Sequence, residues 1–289
     1  MKIGISSYSL FKSVKEQGMS IEDAIQWIAD SGAEHFEMVA FMADVLEDDA
    51  VVESICRKAK ETGLRVSAYC TAADFLKNDE TEVRKEIETV KTHIDIANRM
   101  GAKVVRSDLS AWGRTREENV IENFDRDLPK LISYCQELAD YAAQYDITLT
   151  VENHGTYVNG GDRVRRLILG VNRKNYKCTL DVGNAICVDE DPMVCIEALL
   201  PFATMIHFKD FYIRENPLEF GNGNWQATNN GRWFRGSIVG HGDLPVYKIM
   251  QRVKEYGYDG DVSIEFEGME DSLVGAKISM ENVKRLASL

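Results

Sequence analysis

Three carboxylates and one imidazole close or follow apolar, β-rich runs: Glu152 in TVENHG, Asp181 in TLDVGN, His207 in MIHFKD and Glu265 in VSIEFEG. Oxygen ligands with one nitrogen and no thiolate suit a hard or borderline divalent cation. One ion per chain is expected, Mn²⁺ first, with Mg²⁺, Co²⁺, Fe²⁺ or Zn²⁺ as alternatives. Glu267 competes with Glu265 for the fourth position; Glu265 is preferred because it follows directly on the apolar run. Side chains alternate along a strand with period two. His154 therefore shares the face of Glu152, Lys209 that of His207, and Glu267 that of Glu265, so a polar fringe should surround the ligands. Each ligand candidate has a structural alternative. Glu152 could form a buried salt bridge, Asp181 could cap the next helix, and His207 could be a hydrogen-bonded core imidazole.

The spacing names the scaffold. Glu152 and Asp181 are 29 residues apart, Asp181 and His207 are 26, and His207 and Glu265 are 58. These intervals correspond to one strand-plus-helix unit, a second, and a third carrying a long insertion. Eight strands are expected: Ile3–Ser7, His35–Met38, Arg65–Cys70, Val104–Ser107, Thr148–Asn153, Cys178–Val182, Met205–Lys209 and Val262–Phe266. Helical patterns fall between and after them, at 20–31, 50–62, 80–100, 116–145, 163–169, 193–200, 246–256 and 272–286. Gly32, Gly63, Gly101 and Gly257 sit where those helices should end. This alternation predicts a single-domain (β/α)8 barrel over residues 1–289, which would gather every strand's C-terminal end on one rim. An open doubly wound sheet is the alternative, but no GxGxxG follows the first strand. The stretch after the seventh strand, FYIRENPLEFGNGNWQATNNGRWFRGSIVGHGDL, is expected to be a long loop covering the pocket. It brings Trp225, Trp233 and Phe234, with Arg232 or Arg235 available to an anionic group.

Composition removes several function classes. The chain carries 47 acidic and 34 basic residues, a net charge of −13. Nucleic acid and anionic membrane surfaces both demand a basic face. No apolar run approaches a membrane span. Cys56, Cys70, Cys135, Cys178, Cys187 and Cys195 form no CxxC pair and suggest a reducing compartment. MKIGISSYSLF reads as a first strand rather than a signal peptide, so a cytoplasmic location is expected.

The motifs VENHG, LDVGN, HFKD, GHGD and IEFEG together resemble the sugar phosphate isomerase/epimerase superfamily, the xylose isomerase-like TIM barrels, over essentially the whole chain. That resemblance implies a Glu-Asp-His-Glu metal site at Glu152, Asp181, His207 and Glu265. Similarity to its ketose 3-epimerases implies a cation that polarises a carbonyl and an adjacent hydroxyl and stabilises an enediolate. Glu152 and Glu265 would then exchange a proton on opposite faces of the carbon. The chain departs from those epimerases at Asn184, where they usually carry a substrate-binding His. Further candidates are His154 and Lys209 for acid–base work, and Glu37, Arg106, Asn184, His241, Trp225 and Glu267 for substrate contacts. A lyase (a dehydratase or a C-glycoside-cleaving enzyme) begins with the same proton removal and is the alternative. A sugar-binding barrel without catalysis is a second. The trinuclear zinc repair nucleases of the superfamily need many His ligands, and this chain has 5 His in all. No phosphate-binding Gly-rich loop is evident, which favours a non-phosphorylated sugar or polyol as substrate. The family implies a homo-oligomer, a dimer or tetramer.

Overall fold

The computed structural model describes residues 1–112 and 114–289. Eight parallel strands close into a barrel: β1 (Lys2–Ser6), β2 (His35–Val39), β3 (Arg65–Thr71), β4 (Val104–Ser107), β5 (Thr148–Glu152), β6 (Tyr176–Asp181), β7 (Ala203–Phe208) and, after an insertion, β11 (Asp261–Ile264). Each strand pairs with its neighbour in the chain, and β11 returns to pair with β1 from Lys2↔Asp261 to Ile5↔Ile264. The strands are almost continuously buried because side chains fill the lumen and helices cover the outside.

Eight helices form that cover: α1 (Ile21–Asp30), α2 (Asp49–Thr62), α3 (Glu80–Arg99), α4 (Ile121–Ala143), α5 (Gly161–Val171), α6 (Pro192–Leu199), α7 (Val246–Glu255) and α8 (Ser272–Ser288). The side chains of Ser20, Asp48, Asp79, Asp191 and Asp271 each accept a backbone N–H of the following first turn, satisfying donors the helix leaves orphaned. Gly63 ends α2 in the left-handed region, φ 71°. The fourth helix begins later than its sequence pattern suggests. Thr115 and Glu118 bond each other's backbone N–H groups, closing a separate turn before Ile121.

The expected loop after β7 is instead a small antiparallel sheet. It consists of β8 (Asp210–Arg214), β9 (Gln226–Ala227) and β10 (Trp233–Ser237), in the order β8-β10-β9. Phe211 and Phe234 meet edge-on at 4.9 Å between ring centres on its buried face. Asp189, at the end of the β6 connection, tethers the far end. It accepts from Thr228 Oγ1, Asn230 N and Arg232 Nε, each at 2.8 Å. Among the described residues, no helix is long and apolar enough to cross a membrane.

Candidate metal centre and pocket

Glu152, Asp181 and His207 occupy the last or second-last position of β5, β6 and β7, and Glu265 follows β11 directly. These four strands are consecutive in the barrel wall. Each of the four side chains offers a ligand atom, and those atoms lie within 4.8 Å of one another. Nδ1 of His207 is 3.3 Å from Glu265 Oε1 and 3.4 Å from Glu152 Oε1. Lys209, two residues further on the same face, places Nζ 2.8 Å from Glu265 Oε2, 3.2 Å from Asp181 Oδ2 and 3.0 Å from Glu267 Oε1. Glu267 thus lies on the rim with Lys209, while Glu265 is in the cluster.

Three observations fit this cluster to a divalent cation. First, Asp181 Oδ2, Glu152 Oε2 and His207 Nδ1 are buried without a well-aligned hydrogen bond. The two oxygens have only ion-pair contacts, to Lys209 Nζ at 3.2 Å and Arg106 Nε at 2.9 Å respectively, and His207 Nδ1 has no donor or acceptor of its own, a costly arrangement unless something else binds there. Second, the buried carboxylates Glu37, Glu152, Asp181 and Glu265 face only two buried cations, Arg106 and Lys209. With His207 neutral, as a ligating imidazole must be, two negative charges are left uncompensated. In the metal-free chain burial opposes charge on the ring, but Glu37, Glu265 and Glu152 outweigh it and raise its proton affinity well above the ordinary value, so a proton takes up part of that charge. Third, His207 Nε2 meets Glu37 Oε2 at 2.7 Å. A proton held there leaves the Nδ1 lone pair facing the other three carboxylates, the usual arrangement behind a ligating imidazole. Both alternatives considered for Asp181 apply, one to each oxygen. Oδ1 accepts Gly183 N at 2.7 Å and Asn184 N at 2.8 Å, capping a short 3₁₀ turn, while Oδ2 turns to the cluster.

The electrostatics agree. Burial, reinforced by Glu152 and Glu265 against the pull of Lys209, pushes Asp181 up to about 7. Burial opposes charge on Glu265 as well, but Lys209 and, in the metal-free chain, the protonated His207 outweigh it and hold that carboxyl well below its usual range. At Glu152, Arg106 and His207 likewise overcome burial. Two carboxyls across one cluster therefore differ from Asp181 in proton affinity, a separation that acid–base chemistry uses.

A cavity of about 380 Å³ opens over the cluster. Arg106 and Glu265 line it, with Glu267 and His154 at its sides. His154 Nδ1 donates to Asp108 Oδ1 at 3.0 Å, and its ring packs 4.7 Å from Trp112. Arg106 places Nε 2.9 Å from Glu152 Oε2 and Nη1 3.0 Å from Asp108 Oδ1. Asn184 donates to Glu152 Oε1 at 3.1 Å, so it holds the acid from below.

Four expected substrate contacts do not line the cavity: Asn184, buried against Glu152, and Glu37, His241 and Trp225. Glu37 is fully buried beneath His207 and does not line the cavity. His241 is exposed and absent from the cavity wall. The GHGD motif serves Asp210 instead, whose carboxylate accepts Gly240 N and Gly242 N at 2.9 Å, Leu244 N at 3.2 Å and Phe211 N at 2.8 Å. A Cβ at Gly242 would overlap that carboxylate. Trp225 stacks on Phe220 at 4.2 Å, and its neighbour Gln226 reaches the cavity in its place. Arg232 is bound to Asp189 and does not line the cavity. Sequence reasoning missed Asp108, Asn153 and Trp112. Asp108 was accessible, since it shares Arg106's parity. Asn153 exchanges two 2.9 Å bonds with the backbone of Asp181 and fixes the β5–β6 strand ends. Trp112 sits in an irregular connection and carries no periodic signal.

The model of the xylose isomerase-like TIM barrel family matches residues 25–288. An inosose dehydratase of Bacillus velezensis is 24% identical over 193 residues, 64% of this chain and 64% of its own length, so the match spans less than two thirds of that relative. A D-allulose 3-epimerase from Methylomonas sp. superimposes with a TM-score of 0.76 at 18% identity, covering 99% of this chain and 98% of that one. A xylose isomerase-like TIM barrel protein from Mycobacterium smegmatis, in complex with magnesium, gives 0.74 at 18% identity over 99% and 97%.

Proposed function

The chain belongs to the xylose isomerase-like TIM barrel family, and from that membership we propose that it is a divalent-metal-dependent isomerase or epimerase of a keto-sugar or inositol derivative. The observation that carries the proposal is the convergence of Glu152, Asp181, His207 and Glu265, each offering a ligand atom within 4.8 Å of the others, with the buried Nδ1 of His207 left without a hydrogen bond. A cation held by these four residues supplies Lewis acidity toward a carbonyl and its neighbouring hydroxyl. Glu152 and Glu265 move the proton: one removes it from the carbon beside the carbonyl, and the other returns one to the opposite face. Arg106 orients Glu152 from the cavity side, and Lys209 orients Glu265. Each cation keeps its acid ionised while that acid serves as the base; the acid on the returning face starts the turnover protonated, its proton taken from solvent.

A second reading is a lyase on the same proton removal. The dehydratases among the relatives favour it, as does the His154–Asp108 pair, which can hand a proton to a departing hydroxyl. One experiment tests both. The purified chain is stripped of metal, reloaded with Mg²⁺ or Mn²⁺, and incubated with ketoses and inososes in deuterated water. Deuterium beside the carbonyl is expected in loaded protein only, and loss of water by mass selects the lyase. No exchange with any metal or substrate would remove both readings and leave a sugar-binding barrel.

A further inference from the structure

A second chamber, of about 220 Å³, adjoins the first. Three connections build it, contributing Phe11 and Lys12 after β1, Asn224 and Phe234 from the insertion, and Phe266 and Gly268 after β11. Tyr8, Gln226 and Glu267 line both chambers, so the two share one wall. That wall is fixed by the fold. Gly236 of β10 and Gly268 form a β-bridge across it, and a Cβ on Gly236 would overlap the Glu267 carbonyl.

Acidic residues outnumber basic ones on the lining of both chambers, and the basic ones are already engaged. Of the basic residues lining the inner chamber, Arg106 faces Asp108 and Glu152, and His154 is paired with Asp108. Lys209 beneath it meets three carboxylates. In the outer chamber Lys12 donates to the Gly268 carbonyl at 2.7 Å and shares the lining with Glu16 and Glu267. An anionic ligand would meet uncompensated carboxylates in both places. The outer chamber instead offers aromatic surface: Phe11 is 36% exposed, and the largely buried Phe234 and Phe266 also line the wall. Aromatic faces of this kind accept the apolar face of a sugar or aryl ring.

We infer that the substrate is an uncharged glycoside, its reacting keto-sugar ring in the inner chamber and a second ring in the outer chamber against Phe11 and Phe234. This rests on the isomerase or lyase reading and names the substrate class for it. Calorimetry on the Mg²⁺-loaded chain tests it with D-glucose, phenyl β-D-glucopyranoside and D-glucose 6-phosphate as probes. The phenyl glucoside is expected to bind at least about tenfold tighter than glucose, and the 6-phosphate no tighter than glucose. Phe11→Ala, which removes the stacking face, and Asn224→Trp, which fills the chamber, should each bring the glucoside-to-glucose ratio within about threefold. Both side chains are solvent-accessible, so neither change disturbs the barrel core. Equal affinities in the wild type, a ratio unchanged in both variants, tighter 6-phosphate binding, or no binding by any probe overturns the inference. Deuterium exchange is scored separately. Exchange without a glycoside preference refutes the second ring alone, and a glycoside preference without exchange refutes the catalytic reading alone.

Discussion

Asp181 and Asp210 are both buried acids at the C-terminal rim of the barrel, and the fold treats them in opposite ways. Asp210 receives four backbone N–H groups, which work against the upward push of burial on its carboxyl. Asp181 receives two on one oxygen and none on the other. The first is a fastening that holds the insertion's return to helix α7. The second is left unfinished on the side facing three other ligand candidates. A buried carboxylate alone therefore says little about function; the accounting of its lone pairs separates the two.

The sharpest way to break this comparison is to remove each acid. Asp181→Ala should lower turnover by at least ~10³-fold, about 4 kcal/mol of transition-state stabilisation, with loss of the bound metal measured by elemental analysis. Unchanged metal content would sink the assignment of Asp181 as a ligand. Asp210→Ala should cost about 2–3 kcal/mol of stability, since several N–H groups lose a charged acceptor, while the folded fraction still binds one ion. Urea unfolding with and without Mg²⁺ measures it; an undiminished midpoint refutes the fastening role.

Smaller changes sharpen the contrast. Glu37→Gln keeps a partner for His207 but weakens it, so metal affinity should fall about 10–100-fold with little change in fold. Chelator competition reads this directly. Protons should compete with the metal at Asp181. Its carboxyl rises from an ordinary value near 3.8 to about 7 in the folded chain. Ionised Asp181 therefore destabilises the metal-free fold progressively as pH rises through that interval, and its stabilising contribution is complete only below it. Metal binding needs the ionised form, so affinity should drop up to about tenfold per pH unit below 7. A flat affinity profile between pH 5 and 7, roughly two units, would contradict the raised value.

Much of this was legible beforehand because a barrel repeats one instruction. An apolar run, a polar residue at its end and a glycine before the next strand recur from GAEHFEM to IEFEG, so topology and the Glu152–Asp181–His207–Glu265 grouping followed from spacing. Period-two parity also placed His154, Lys209 and Glu267 beside the ligands, as the geometry has them. What failed was everything set by contacts between distant loops. GHGD was read through its histidine, whereas its glycines do the binding, by offering bare N–H groups to Asp210. DFYIR and WFRGS were read as loop because they are short and separated by an Asn- and Gly-rich stretch. Their pairing depends on a partner 23 residues away, Asp210↔Ser237 at one end tightening to Arg214↔Trp233 at the other. Glu37, in HFEM at the end of β2, suits either a substrate contact or polar packing inside the barrel by sequence alone; the structure has the second, with its carboxylate buried against His207.

The Glu37–His207 bond joins residues 170 apart in sequence, across the lumen. All four ligand candidates come from the C-terminal half of the chain, yet the ring that must face them is aimed by the N-terminal half. A partly folded chain with β5 to β11 assembled would hold every ligand and still present a freely turning imidazole. Tight metal capture should therefore be the last event of folding, and slow release should track global unfolding rather than local fraying.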